Sequence, residues 1–283
     1  MNIGHFISKY GIRPDSLLDQ HFMTDERMIR KIILASGLKR KDVVLEIGAG
    51  IGTLTEHLAS KCAKVIAVEI DRKLEPALRE RVKGKNVEII WGNALEIIHN
   101  YNHKFNKIVS NTPYSICEPL MQRMFMTKFD FAALSVPLGF YRRISSEGTL
   151  LSFKARNFFR IEMKFNISKE SFFPRPKTES VLIVVKPLSE NDYKRNPERY
   201  VLREMFLQKR KKMKNALMEG VINLNKRIMR HPFTKRMSKE IIRKMSLEKD
   251  MLEKDVKDLS IANLIFLEKR LSVLRRKPLR RAG

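Results

Sequence analysis

The sequence has few cysteines and no long apolar run. Only two of its 283 residues are cysteines, Cys62 and Cys117, so neither a disulfide scaffold nor a cysteine-rich metal site is expected. No stretch approaches the roughly 18 uncharged apolar residues that a membrane span requires, and residues 1–16 lack the apolar segment of a secretory signal. The histidines have no partners at metal-ligand spacing. We therefore expect a soluble, cytoplasmic protein without a metal or a membrane partner.

Acidic residues are scarce relative to basic ones. The chain has 57 lysines and arginines against 31 acids, a net charge of +26, and residues 187–283 hold 27 of these cations and 12 of the acids. Basic residues cluster at 209–214 (Lys209, Arg210, Lys211, Lys212 and Lys214) and again at 275–277. A solvated helix face explains each cluster as well as a phosphate-binding surface does. The excess of one sign in both parts favours a polyanionic partner, most simply nucleic acid.

Hydrophobic periodicity predicts an α/β domain followed by a helical one. Short apolar runs at 42–47, 64–70, 87–91, 108–110 and 131–136 read as strands that alternate with helical segments, as in right-handed βαβ units. Runs at 163–165 and 180–186 read as later strands, and the pattern after Pro187 is helical. We therefore divide the chain into residues 1–186 and a small, basic helical domain over residues 187–283.

A glycine turn follows the first predicted strand of the α/β domain. Gly48, Gly50 and Gly52 alternate with other residues, and Thr53 occupies the position where a dinucleotide fingerprint has its last glycine. Glu69 ends the next strand, where an acid accepts hydrogen bonds from ribose hydroxyls in this topology. This combination weakens the case for NAD or FAD and favours S-adenosylmethionine, a nucleoside without phosphates.

A second motif, Asn111-Thr112-Pro113-Tyr114, follows the fourth predicted strand. It resembles the (Asp/Asn)-Pro-Pro-(Tyr/Phe) motif of amino-methyltransferases, with Thr112 in the second position, and this resemblance implies an adenine amino group as the methyl acceptor. The lone pair of an adenine amino group is delocalised into the ring, so the amine is a poor nucleophile. The Asn111 amide and a nearby main-chain carbonyl would hold its two hydrogens and turn the lone pair toward a methyl donor. Tyr114 would stack on a base that is unpaired or flipped out. Taken alone, the same residues are an ordinary Asn-x-Pro turn.

Six segments in the same order resemble the ribosomal small-subunit RNA adenine dimethyltransferases, which are related to the rRNA methylases of erythromycin resistance. The resemblance covers most of the chain and implies a Rossmann-like S-adenosylmethionine-dependent domain with a small all-helical C-terminal domain. It also implies two adjacent adenines near the 3′ end of small-subunit rRNA as substrate. The six segments are Asp19–Asp25, Val44–Thr55, Ala67–Asp71, Trp91–Leu95, Ser110–Ile116 and Phe172–Ser180.

The resemblance also implies roles for individual residues. His21 and Met23 would line the cofactor pocket, Gly48 would approach the methionine portion and Glu69 would take the ribose hydroxyls. Four further residues complete the implied site: Asn93 for the adenine of the cofactor, Asn111 and Tyr114 as catalytic residues that hold the target base, with Asn111 also at the cofactor, and Phe172 for the other face of that base.

Several residues depart from the family motifs. His21 replaces an asparagine, Asn93 an aspartate and Thr112 a leucine, and residues 136–143 match the family poorly. We expect weaker cofactor binding from Asn93, because its side chain lacks the charge of an aspartate. Two other readings stay open: a non-enzymatic RNA-binding assembly factor, and a methyltransferase for another nucleic-acid site. We expect a monomer that acts on ribosomal RNA or the small subunit.

Overall fold

The computed structural model describes residues 3–230 and 232–275. By their contacts these residues divide into two compact units, one formed by residues up to Ser145 together with Ile161–Pro187, the other by Ser146–Arg160 and the chain from Leu188 onward. In the described ranges, no helix has the length and apolar character needed to cross a membrane.

A seven-stranded sheet forms the centre of the first unit. The strands of this unit are β1 Phe22–Met23, β2 Val43–Ile47, β3 Lys64–Glu69, β4 Val87–Trp91, β5 Lys107–Asn111, β6 Phe131–Pro137, β7 Phe159–Ile167, β8 Phe172–Phe173 and β9 Ser180–Pro187. Strands β2 to β6 pair in parallel, and β9 pairs antiparallel with β6. The order across the sheet is β4-β3-β2-β5-β6-β9-β7, and the short strands β1 and β8 form a separate antiparallel pair.

Helices connect the parallel strands. Val44, Leu45 and Ile47 of β2 are fully buried, as expected for a strand at the centre of a sheet that is covered on both faces. The helices of this unit are α1 Ile3–Lys9, α2 Glu26–Ala35, α3 Thr53–Ala59, α4 Glu75–Arg81, α5 Ala94–Asn100, α6 Cys117–Met124 and α7 Leu138–Ser145.

The strand order reverses at β2, because the chain runs outward to β3 and β4 and then returns to β5 on the other side of β2. Ligands of open α/β sheets bind in the crevice at such a switch point, beyond the carboxyl ends of the strands. Glu69 and Asn111 are the last residues of β3 and β5, and Gly48 directly follows β2. The topology therefore brings three of the predicted site residues to the same edge of the sheet.

The second unit is helical. Its helices are α8 Leu150–Phe158, α9 Glu190–Arg195, α10 Pro197–Phe206, α11 Met213–Asn223, α12 Lys235–Lys244, α13 Lys249–Glu253 and α14 Ile261–Leu271. The predicted domain division after residue 186 lies next to the end of β9, but residues 146–160 group with the C-terminal unit instead of the first. The physical reason is that α8 packs on α10, with the rings of Phe153 and Phe206 6.1 Å apart in an edge-on arrangement.

Candidate active site

A cleft opens at the carboxyl edge of the sheet. Its empty volume is about 910 Å³ when the open solvent at its mouth is included. Five of the predicted residues meet around it with the glycine turn. They are His21, Met23, Glu69, Asn93 and Asn111, and the turn contributes Gly48, Ala49 and Gly50.

The carboxylate of Glu69 holds the wall of this cleft together. Its Oε2 accepts a hydrogen bond of 2.7 Å from the Gly50 amide, and its Oε1 accepts from the amides of Ile70 and Asp71, both at 2.9 Å. Burial raises the pKa of Glu69, and the three backbone donors act against that rise. A carboxylate offers about four acceptor positions, so one position remains for a ligand hydroxyl. Both oxygens of Asp71 accept hydrogen bonds within the protein, from Gln20 and Lys73.

The glycine turn needs glycine for its own packing. Gly48 has a φ of +72°, and a Cβ there would lie 3.1 Å from the ring of Pro113. At Gly50, with a φ of +58°, a Cβ would meet the ring of Phe22 at the same distance. The glycines therefore let Pro113 and Phe22 pack against the turn. The approach of Gly48 to the methionine portion of a cofactor stays a prediction.

Asn93 uses its only side-chain oxygen inside the protein. Oδ1 accepts a hydrogen bond of 2.9 Å from the Leu95 amide and thereby caps the start of α5, and Nδ2 lies 3.4 Å from an oxygen of Glu96. An aspartate at this position would cap the helix with one oxygen and keep the other for a ligand. The second group of Asn93 is instead a donor, which does not match the amino group of an adenine.

The Asn111 side chain is held in one orientation. Its Nδ2 donates a hydrogen bond of 2.9 Å to the main-chain carbonyl of His21, and its Oδ1 has no partner among the described residues. The neighbouring Thr112 is buried, and its hydroxyl donates to Ser110 Oγ at 3.1 Å. The replacement of leucine by threonine is thus accommodated without an unpaired hydroxyl.

Aromatic rings lie beside the Asn111 amide. The rings of Tyr114 and His21 are 5.8 Å apart, the Tyr114 hydroxyl is 2.5 Å from Ser180 Oγ, and His21 Nδ1 is 2.8 Å from the carbonyl oxygen of Pro174. Since a carbonyl only accepts, Nδ1 of His21 is the donor in this contact. Burial raises the pKa of Tyr114, which therefore stays a neutral phenol.

The structure places Phe172 in the core of the first unit. Phe172 is 4% exposed, whereas its neighbour Phe173 is 47% exposed. Successive side chains of a strand point to opposite faces, and β8 pairs with β1 so that Phe172 points inward. Neither ring is among the residues that line the cleft, so the role of Phe172 at the target base stays a prediction.

Two site residues were missed by the sequence reasoning. Glu46 lies in the wall of the cleft and is 1% exposed, its Oε2 has no hydrogen-bond partner among the described residues, and burial raises its pKa to about 8. Asp19 has a φ of +50°, and its Oδ2 accepts a hydrogen bond of 2.7 Å from the Ser115 amide. Two features of the sequence could have identified these residues. Glu46 is an acid inside the apolar strand β2, and Asp19 is an acid at a position where the family motif has glycine.

The amino-acid sequence matches a known protein family. Residues 15–256 match the ribosomal RNA adenine dimethylase family, which is most of the sequence. The chain belongs to this family. The family that the sequence motifs predicted is therefore confirmed, and with it an rRNA adenine methyltransferase that uses S-adenosylmethionine.

Individual relatives agree with the family match. The ribosomal RNA small subunit methyltransferase A of Thermotoga neapolitana is 36% identical over 224 residues, which cover 77% of this chain and 85% of the relative. A dimethyladenosine transferase from Plasmodium falciparum has a TM-score of 0.59 at 26% identity, over 89% of this chain and 98% of that structure. The 23S rRNA methyltransferase ErmE shares the fold, with a TM-score of 0.58 at 20% identity over 89% of this chain and 99% of that structure. The predicted Rossmann-like fold with a helical C-terminal part is thus confirmed.

The residues of the cleft fit the cofactor of the dimethylase family. S-adenosylmethionine carries an ammonium group, a sulfonium group and a ribose. The unpartnered buried oxygen of Glu46 suits a cationic group, because a cation would stabilise its ionised form. The remaining acceptor position of Glu69 suits a ribose hydroxyl.

We expect Asp19→Gly to lower the rate of methyl transfer about 3- to 10-fold while cofactor affinity stays within about twofold of wild type. Glycine adopts a φ of +50° without strain, so the change removes only the acceptor of the Ser115 amide beside Tyr114. The measurement is transfer of radiolabelled methyl to RNA, together with calorimetric titration of the cofactor. Asp19→Asn keeps both the acceptor oxygen and the tolerance of positive φ, so it should behave as wild type. Equal rates in Asp19→Gly and Asp19→Asn would contradict the role of this hydrogen bond.

Proposed function

We propose that this protein transfers two methyl groups to each of two adjacent adenines near the 3′ end of small-subunit rRNA. The names of its relatives support this substrate, since they include a small subunit methyltransferase A and a dimethyladenosine transferase. Because the substrate is ribosomal, we expect the protein to act in the cytoplasm, as a monomer on the small subunit or its RNA.

One observation supports the acceptor role most directly. The amide of Asn111 is fixed by its donor group to the carbonyl of His21, so its oxygen is the group left for a ligand. A carbonyl oxygen accepts hydrogen bonds from an amino group, and the exocyclic nitrogen of adenine is an amino group. The side chain therefore has the right chemistry in a fixed orientation before any substrate binds.

The chemistry then follows from positioning. When bound, S-adenosylmethionine supplies an electrophilic methyl group. Asn111 Oδ1 and a main-chain carbonyl of the Asn111–Tyr114 motif would each accept a hydrogen bond from one N–H of the adenine amino group. These two hydrogen bonds would turn the lone pair of the amino nitrogen out of conjugation with the ring. Tyr114, held by Ser180, would stack on the base, and Phe172 keeps its predicted role at the other face.

The cofactor residues keep their predicted roles in this proposal. Glu69 would accept from the ribose hydroxyls, Gly48 would approach the methionine portion, and His21 and Met23 would form part of the pocket wall. Asn93 would face the adenine of the cofactor with a donor instead of an acceptor, which weakens the contact without removing the site.

Asn111→Ala should reduce methyl transfer at least about 100-fold, because removal of one hydrogen bond to the reacting group typically costs this much. RNA affinity should change less than twofold, since the amide contributes little to phosphate contacts. The measurement is single-turnover methyl transfer with saturating RNA and cofactor. Asn100→Ala, at the exposed end of α5, is the matched control and should keep the wild-type rate. A rate above about one third of wild type in Asn111→Ala would refute the acceptor role.

Asn93→Asp should strengthen cofactor binding about 5- to 20-fold. One carboxylate oxygen would cap α5 as Asn93 Oδ1 does, and the other would accept from the adenine amino group. Calorimetric titration with S-adenosylmethionine measures the change in Kd. Asn93→Ala removes the cap as well, so it should lower the free energy of unfolding by about 1 kcal/mol and should not tighten binding. Unchanged or weaker binding by Asn93→Asp would show that this side chain does not face the adenine.

Cofactor affinity should rise with pH as the solution approaches pH 8. Glu46 is mostly protonated below its pKa of about 8, and a cationic ligand favours the ionised form, so binding below that pH must displace a proton. We expect Kd to fall several-fold per pH unit between about pH 6 and pH 8. The dependence should be much weaker in Glu46→Gln and preserved in Glu88→Gln, which makes the same change on strand β4 of the same sheet. His21 and Glu69 line the same cleft, and a pH dependence unchanged by Glu46→Gln would assign it to one of them instead.

A further inference from the structure

The glycine turn after β2 has a cleft side and a back side. Residues 48–50 line the cleft, whereas Ile51 and Gly52 do not. On the cleft side, the Gly50 amide donates to Glu69. On the back side, Ile51 is completely buried in a small apolar cluster with residues of α1 and α4. The two sides of the turn are therefore held by different parts of the first unit.

Arg81, the last residue of α4, holds the back of the turn. Its Nε donates a hydrogen bond of 2.9 Å to the Ile51 carbonyl, and a Cβ at Gly52 would lie 3.1 Å from its Cδ. Its Nη1 lies 3.4 Å from an oxygen of Glu56 on α3, and Lys85 approaches the same carboxylate at 3.4 Å. Only 9% of the Arg81 side chain is exposed, so this cation is part of the packing and not a solvated surface charge.

Helix α1 covers the guanidinium group. The ring of Phe6 lies over it, with 4.3 Å between Arg81 Cζ and the ring centroid, and Phe6 is 2% exposed. A guanidinium at this distance is attracted to the face of an aromatic ring. Helix α1 is in turn attached to α4, because the Lys9 ammonium lies 2.8 Å from Glu80 and the Tyr10 hydroxyl donates to the same carboxylate. The Arg81 side chain is thus enclosed between α1 and the glycine turn.

We propose that Arg81 is a positioning residue for the cofactor. It holds the Ile51 carbonyl, and thereby keeps the Gly50 amide and the Glu69 carboxylate in the geometry that binds S-adenosylmethionine. Arg81 is not among the residues that line the cleft, so it acts through the turn and not by contact with a ligand. The inference rests on the cofactor role proposed for Glu69.

The contacts on the two sides of the turn are very close along the chain. Glu69 holds the peptide group before Gly50, Arg81 holds the peptide group after Ile51, and a single peptide group lies between them. Three glycines with positive φ make this segment easy to deform, so its conformation depends on what holds it. A change at Arg81 should therefore alter cofactor affinity and leave the chemical step unchanged.

Two substitutions isolate the hydrogen bond to Ile51. In Arg81→Gln, the side-chain amide nitrogen is as many bonds from Cα as the arginine Nε, so a donor remains at the same position. In Arg81→Met, a methyl carbon takes that position and the donor is lost. Both variants lose the charge and the ion pair with Glu56. The difference between them therefore reports the hydrogen bond alone.

Calorimetric titration with S-adenosylmethionine should give a Kd about 10-fold higher for Arg81→Met than for wild type, and within about threefold of wild type for Arg81→Gln. The value of kcat at saturating cofactor should stay within about twofold, since Arg81 does not touch the reacting groups. Arg79→Met makes the same change on the exposed side of α4 and should keep the wild-type Kd. Equal Kd values for Arg81→Met and Arg81→Gln would overturn the proposal, and so would a loss of kcat with an unchanged Kd.

A variant of α1 tests the same contact without a change at Arg81. Phe6→Leu keeps an apolar side chain in the core but removes the ring face from the guanidinium. Kd should rise about threefold in this variant, and the double variant Phe6→Leu/Arg81→Met should bind no more weakly than Arg81→Met alone, because the ring acts through the arginine. Additive effects of the two substitutions would contradict the proposal.

Hydrogen exchange of the backbone amides separates this inference from the proposed cofactor site. Exchange over residues 47–58, read by mass spectrometry without cofactor, should be at least about fivefold faster in Arg81→Met than in Arg81→Gln. Exchange over β5 should be equal in both, which shows that the sheet is intact. Equal exchange of the turn in the two variants would overturn the role of Arg81. If S-adenosylmethionine fails to slow exchange of the turn in the wild-type protein, the proposed cofactor site is wrong instead.

Discussion

The candidate site depends on one buried carboxylate. Glu69 accepts hydrogen bonds from the amides of Gly50, Ile70 and Asp71, so a single side chain joins the glycine turn after β2 to the end of β3. The glycine turn in turn supports Phe22 and Pro113 through close contacts that a Cβ would disturb. Removal of this carboxylate would therefore leave three backbone donors without their partner and would loosen the cleft wall and the turn against which Pro113 packs.

The segment that precedes β1 connects the two halves of the site. Its Asp19 binds the Ser115 amide, its Gln20 donates to Asp71 at 2.8 Å, and the carbonyl of His21 accepts from Asn111. The wall of the cleft and the segment from Asn111 to Ser115 are thus held by the same few residues. Departures from the family motifs at positions 19 and 21 therefore bear on both halves at once.

Local patterns in the sequence predicted the parts of the fold that local physics controls. The strands and the glycine turn follow from apolar runs and breakers, and Glu69 and Asn111 follow from their positions at the ends of strands. Helix α8 was not assigned to the second unit, because its packing on α10 joins residues about 50 positions apart. In the two-residue strand β8, no periodicity distinguishes the inward ring of Phe172 from the outward ring of Phe173.

The ion pairs of the basic cluster could not be predicted either. The acids that pair with Lys212 and Lys214 come from residues about 40 positions away, so charge counting along the chain could not identify them.

In the role proposed for Asn93, its helix cap has a consequence for turnover. Cofactor and spent product carry the same adenine, because methyl transfer changes only the sulfur end. A weakened adenine contact therefore lowers the affinity for both by the same factor and leaves the barrier of the chemical step unchanged. The enzyme then needs more cofactor to reach half of its maximal rate, but it releases S-adenosylhomocysteine faster. Such an enzyme is less inhibited by its own product, and its rate follows the supply of methyl donor over a wider range.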